Sequence, residues 1–175
     1  MSDYGVVTEP GTVRIQRVLP GPIERVWAYL TESEKRGTWL SSGDMEPRIG
    51  GQVHLHFRNS ELSAHGESPP ERYRDHACGE QNDGRVTAWE PPRRLGYTWS
   101  GGSEVVFELT PQEADVLLVL THRRLGDRET MLSVSAGWHA HLGILSDKLA
   151  GREPGPFWST HARLEREYEQ LLSAG

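Results

Sequence analysis

The sequence predicts an α+β domain in which an antiparallel meander is followed by a long helix. Three observations carry this. Between residues 45 and 122, apolar and polar residues alternate in short runs separated by Gly-Gly or Pro-Pro pairs. From Met131 to Leu149 the apolar residues recur instead every three or four positions. Apart from two short helices after the first strand, strands and helices are segregated along the chain, which is the α+β pattern.

The elements follow in order. Residues 1–11 are polar and hold Pro10-Gly11, which reads as a loose arm. Thr12–Leu19 alternates, with Val13, Ile15 and Arg17 opposite Arg14, Gln16 and Val18, and reads as a half-buried strand. Pro20-Gly21-Pro22 ends it, and Pro22 suits a first helical position, where its missing N–H costs nothing. Ile23, Val26, Trp27 and Leu30 then lie at helical spacing. Thr31 with Glu34 three residues on has the form of a capping box for a second short helix ending near Gly37. Met45–Ile49 and Gln52–Phe57 are expected strands joined at Gly50-Gly51. In the second, Val53, Leu55 and Phe57 face away from Gln52, His54 and His56.

Residues 59–83 are polar, hold Pro69-Pro70 and show no period, so they are expected to form a long surface loop. Arg85–Trp89, Leu95–Trp99, Glu104–Leu109 and Val116–His122 are the remaining strands, with breaks at Pro91-Pro92, Gly101-Gly102 and Pro111. Met131, Val134, Trp138, Leu142, Leu145 and Leu149 form one helical stripe that stops at Gly151. Pro154-Gly155-Pro156 separates it from a last helix over 157–173, with Leu164, Tyr168 and Leu171 on one face.

At 175 residues the chain is expected to be a single domain with a sizeable core. Its net charge of −6 opposes binding to a nucleic-acid backbone, which needs a basic face. No apolar run approaches the roughly 20 residues of a membrane span. The start has neither a basic nor an apolar stretch, so no signal peptide is expected. Cys78 is the only cysteine, which fits a reducing cytoplasm. Glycine-rich phosphate loops, dinucleotide fingerprints and the Gly-x-Ser-x-Gly elbow are missing, so no nucleotide cofactor and no serine hydrolase chemistry is expected.

The element order, together with specific phrases, resembles the START-like superfamily. Pro22-Ile23-Glu24-Arg25-Val26-Trp27 is similar to the family's opening helix, and Trp39-Leu40 follows at the usual distance. Gly84-Arg85-Val86, Glu90-Pro91-Pro92-Arg93-Arg94-Leu95 and Tyr97-Thr98-Trp99 resemble a strand pair of the branch named after the activator of the heat-shock chaperone ATPase. Leu120-Thr121-His122 and Gly137-Trp138 followed by Leu142 complete the likeness over about residues 12–150. The resemblance implies a helix-grip fold, a curved antiparallel sheet wrapped around the long helix. It also implies a cavity between the two, as in binders of small molecules and in polyketide cyclases. The stretch 59–83 and the helix 157–173 depart from the family pattern.

Within that frame His122 is the first candidate for chemistry. Alternation puts Val116, Leu118, Leu120 and His122 on one face, and an inward face directs His122 into a cleft, where it can donate a hydrogen bond or act as a general base. A structural histidine bonded to a loop is the alternative. Trp138 is a core anchor or a pocket wall, and His141, three residues on, can face the same space. Trp39, Trp99, Tyr97 and Phe107 are candidates for an aromatic lining or for ordinary core. His139 is expected in solvent. His54 and His56 with a third ligand could hold a metal, but an exposed sheet face explains them equally well, and no metal is expected. Glu104 and Asp44 are candidate acid partners for a histidine.

The leading expectation is a protein that binds a small apolar or aromatic ligand, with Trp39, Trp99, Phe107, Leu118, Leu120, His122, Trp138 and His141 at the site. A cyclase- or hydrolase-like enzyme using His122 as acid/base, and a co-chaperone-like interaction module, stay open as alternatives. So does a homodimer.

Overall fold

The computed structural model describes residues 3–62 and 80–173. They build one antiparallel sheet of seven strands in the order β1-β2-β7-β6-β5-β4-β3. The strands are β1 (Val6–Glu9), β2 (Thr12–Pro20), β3 (Gln52–Phe57), β4 (Glu80–Glu90), β5 (Arg94–Thr98), β6 (Glu104–Gln112) and β7 (Asp115–Arg123). Helices α1 (Ile23–Thr31) and α2 (Ser33–Arg36) follow β2, and α3 (Arg128–Leu149) and α4 (Phe157–Ser173) close the chain. The long helix against an antiparallel sheet is the helix-grip arrangement the sequence leads one to expect.

Alternation sets the faces. Ile15 and Leu19 on β2, Val53 and Leu55 on β3, Val105, Phe107 and Leu109 on β6, and Val116, Leu118 and Leu120 on β7 are all buried in one core. From α3 the core receives Trp138, Leu142, Leu145 and Leu149. The helix also buries Ser135, Ala140 and Ile144 outside that stripe, because α4 packs against it as well as the sheet. Asp127 caps α3 by accepting the Thr130 N–H at 2.7 Å.

Several local expectations are corrected. Residues 6–9 are an edge strand, not a loose arm. All four are exposed, so no burial period marks them, while the Gly5 N–H donates to Tyr168 Oη and Tyr4 Oη to Glu167. Thr31 forms no capping box: its hydroxyl turns back to the Trp27 carbonyl, and Glu32 occupies the N-cap of α2 without a side-chain cap. Met45–Ile49 is not a strand. Isolated bridges at Ser42–His56 and Met45–Val53, with the Glu46 N–H donating to the Gln52 carbonyl, hold the stretch 42–46 against β3 without making it a strand.

The two described ends of the stretch 59–83, expected as a loop, are regular structure. Asn59–Glu61 is a 3-10 turn, and Glu80–Asp83 extend β4, pairing with Phe57–His54. Their polar side chains hid the strand from a pattern based on apolar alternation. Residues 63–79, with Cys78, lie outside the described residues. On α4, Leu164 and Tyr168 are fully buried but Leu171 is half exposed, and Leu172 packs against the core instead.

Candidate functional site

The inward face of β7 ends on a polar side chain. His122 lies in register between Val13 of β2 and Val105 of β6, continuing the apolar row of Val116, Leu118 and Leu120, and is fully buried. Across the core, α3 sets Trp138 opposite it. The Trp138 indole N–H donates to His122 Nδ1 at 2.9 Å. An indole nitrogen can only donate, so Nδ1 holds a lone pair and the ring proton sits on Nε2. That nitrogen lies 2.9 Å from Ser103 Oγ and donates to it. Burial pushes the His122 pKa down to about 4, so the ring is neutral near pH 7.

One turn further along α3, His141 makes a parallel arrangement. Its Nδ1 lies 2.8 Å from the Trp39 backbone carbonyl. A carbonyl only accepts, so Nδ1 carries the proton and Nε2 the lone pair. Burial lowers this pKa to about 4, against the raising effect of the Trp39 bond and with a further lowering by nearby His161. Trp39 in turn donates its own indole N–H to the Tyr29 carbonyl at 2.7 Å, which fixes the acceptor for His141.

These groups border a pocket of about 290 Å³, near the lower end of typical small-molecule sites. The sheet contributes Phe57, Gln81, Asn82 and His122, and Trp99 follows β5 directly. Helix α3 contributes Ser133, Val134, Gly137, Trp138 and His141, and the start of α4 adds Phe157, Trp158 and His161. Leu40 and Asn59 complete the lining. Five of these are aromatic rings, and they interlock: Trp99 with Trp138 at 5.3 Å between centroids, Phe57 with Trp99 at 5.6 Å, and His141 with Phe157 at 4.8 Å. His161 Nδ1 lies 3.0 Å from Glu165 Oε1 one turn along α4. Among the described residues, none of those lining the pocket is an Asp, Glu, Lys or Arg.

Of the residues singled out from sequence, Trp99, His122, Trp138 and His141 line the pocket. Trp39, Phe107, Leu118 and Leu120 are buried in the core beneath it. Phe107 still shapes the wall, since its ring meets the edge of Trp138 at 5.6 Å. Tyr97 is also core. Sequence reasoning missed Phe157, Trp158 and His161. The Phe157–His161 spacing of four on the last helix was the available signal, but nothing in the sequence tells which way that helix folds back. It also missed Asn59 and Asn82, which fell within the expected loop.

Other candidates sit elsewhere. His139 is not in solvent. It is half-buried, its Nδ1 is 2.8 Å from Tyr168 Oη, and its ring meets that of Tyr4. Burial, then the Arg17 charge, lower its pKa to about 4. His54 is exposed and lies 2.9 Å from Asp83. Among the described residues no group of three His, Cys, Asp or Glu side chains is arranged to hold a metal. Glu104 pairs with Arg123 and Arg124 rather than a histidine, and Asp44 lies near the buried Arg36. Among the described residues no helix is long and apolar enough to cross a membrane.

Comparison with known proteins agrees with this architecture. The chain matches no curated protein sequence. A protein of Bordetella parapertussis with a solution structure is 44% identical, with a TM-score of 0.82 over 97% of this chain and 90% of that one. CalU16 from Micromonospora echinospora shares the fold at 20% identity, TM-score 0.67, over 93% and 86% of the two chains. The Aha1 dimer from Colwellia psychrerythraea shares it at 18% identity, TM-score 0.60, over 79% and 95%. The model of the activator of Hsp90 ATPase homolog 1-like proteins matches residues 20–150, three-quarters of the chain including α1, most of the sheet and all of α3. With the sheet gripping α3 over that same span, the chain belongs to the activator of Hsp90 ATPase homolog 1-like family.

Proposed function

We propose that this protein binds a small apolar or aromatic molecule in the pocket between the sheet and helices α3 and α4. The observation that carries the reading is the wall of five aromatic rings around a space of about 290 Å³. A plain core fills such space with side chains. Here the rings leave a recess that also carries polar side chains, among them Gln81, Asn82 and His141, a mixture suited to a small-molecule site. Burial of ligand surface supplies affinity at roughly 25 cal/mol per Å², and His141 offers a lone pair to orient it.

A role for His122 as acid/base in a cyclase-like reaction has less support. Both of its nitrogens are engaged, by Trp138 and by Ser103. Its part in the proposal is to hold the Trp138 ring at the pocket wall. The lone cysteine supports a reducing compartment such as the cytoplasm. The Colwellia relative is a dimer, and a homodimer is part of the same proposal.

Native mass spectrometry of the purified protein tests both points. A non-covalent adduct lost on denaturation, or a tryptophan-fluorescence response to aromatic probes, is the expected result. A protein that carries no adduct, and whose fluorescence and melting temperature are unmoved by millimolar aromatic compounds, would overturn the binding reading.

A further inference from the structure

Helix α3 presents a straight row to the pocket. Ser133, Gly137 and His141 follow one another at intervals of four, so they share one helix face, and all three line the recess. The middle member has no side chain.

Glycine suits a helix interior poorly, because it loses backbone entropy that alanine does not. Neither backbone nor packing demands it at Gly137. The backbone there is helical. Beyond its chain neighbours and its own helix backbone, a Cβ at this position would meet one heavy atom within 4 Å, Nε2 of His161 at 3.9 Å, an ordinary contact distance. The fold has room for alanine. What a methyl would enter is the space between Gly137 and His161, two residues of the pocket lining.

His141 ends the row with an acceptor. Its Nδ1–H is engaged by the Trp39 carbonyl at 2.8 Å, whereas Nε2 has no hydrogen-bond partner among the described residues. The residue is 6% exposed, so the pocket rather than bulk water is where that lone pair can be met. Burial keeps the ring neutral near pH 7, so Nε2 accepts and does not donate.

We infer that Gly137 sets the specificity of this pocket: bare backbone in the middle of the row lets a flat ring lie along α3, and an N–H or O–H on the edge of that ring donates to His141 Nε2. Gly137 and His141 are about 6 Å apart along the helix axis, a length that a fused two-ring molecule spans. This rests on the binding reading above and adds the residue that selects the ligand and the polar group the ligand carries.

Indole and quinoline test it. Both are flat bicycles of nearly one size. Indole has a ring N–H to donate; quinoline, uncharged at pH 7, has only an acceptor nitrogen. Affinities are read by equilibrium dialysis at pH 7 for the wild type, Gly137→Ala and Gly143→Ala. Gly143 is the control: it also lies inside α3, a Cβ there would meet nothing within 4 Å, and it is not among the residues lining the pocket.

Indole is expected to bind the wild type about tenfold tighter than quinoline, the worth of one buried hydrogen bond. Gly137→Ala is expected to weaken indole by about tenfold, as overpacking does, while Gly143→Ala leaves it unchanged. Both alanines should raise the melting temperature, by about 2–4 °C. Quinoline bound as tightly as indole, indole affinity unmoved by Gly137→Ala, or an equal loss in the two variants would each overturn the inference with aromatic binding intact. So would a Gly137→Ala melting temperature below that of the wild type, which would make the glycine a packing requirement of the fold. Binding of neither probe to the wild type at millimolar concentration would overturn the binding reading along with it.

Discussion

Acidification should unfold this protein well before its carboxylates are all protonated, and the main reason lies in its two most deeply buried α3 and β7 histidines. His122 is fully buried and His141 nearly so, and burial holds both pKa values near 4. In the unfolded chain each would titrate near 6.5. Between those values the unfolded state binds more protons than the native state, so stability falls as pH falls. Above pH 6.5 the contribution is complete; it is lost through the window from 6.5 to 4.

Going from pH 7 to 4.5 costs about 2–3 kcal/mol per histidine by this linkage, or about 5 kcal/mol for the pair. Domains of this kind hold only about 5–15 kcal/mol in total. Urea unfolding followed by tryptophan fluorescence at pH 7, 5.5 and 4.5 measures it. His122→Gln isolates one of the two groups. The glutamine carbonyl can still accept from Trp138 and its amide can still donate to Ser103, but nothing titrates. The variant should lose between a third and a half of the pH slope, since the half-buried His139, also held near 4, titrates in the same window with a smaller, solvent-screened share. A wild-type stability constant to within 1 kcal/mol over this range, or a variant slope equal to the wild type's, would refute the reasoning.

Two further outcomes are expected. Trp138→Phe keeps the ring but strips the donor from His122 Nδ1, leaving a buried acceptor unpaired, so urea unfolding should show a loss of about 1–3 kcal/mol. Gly43 has φ +117° and its position leaves no room for a side chain, since a Cβ would lie 2.0 Å from the His54 carbonyl oxygen. Gly43→Ala should therefore lower the melting temperature by several degrees or prevent folding, a cost beyond the ~1 kcal/mol of an ordinary Gly/Ala exchange; a melting temperature equal to the wild type's would contradict the packing at this turn.

Much of the scaffold was legible without coordinates. β3 was bounded to the residue because Val53, Leu55 and Phe57 alternate cleanly with polar neighbours. β7 and the burial of His122 followed from the same two-residue period, and α3 from the spacing of its apolar residues. These signals are local: strand and helix periods are set by the backbone itself. Where both faces of an element are polar, as over Glu80–Asp83, or where every residue is exposed, as in β1, the period vanishes and so did the reading.

The pocket is another matter. Alternation says that His122 points inward, but only the packing of α3 against β7 decides that it meets Trp138, and thereby which nitrogen holds its proton. The rings of Phe57, Trp99 and Trp138 come from three elements far apart in sequence, and α4 brings Phe157, Trp158 and His161 to the same recess only because it folds back along α3. The sequence by itself determined the elements, their faces and the family, since those depend on spacing along one chain. Tertiary structure alone decided which of the buried aromatics became wall and which became core, because such neighbours are set by distances across the fold.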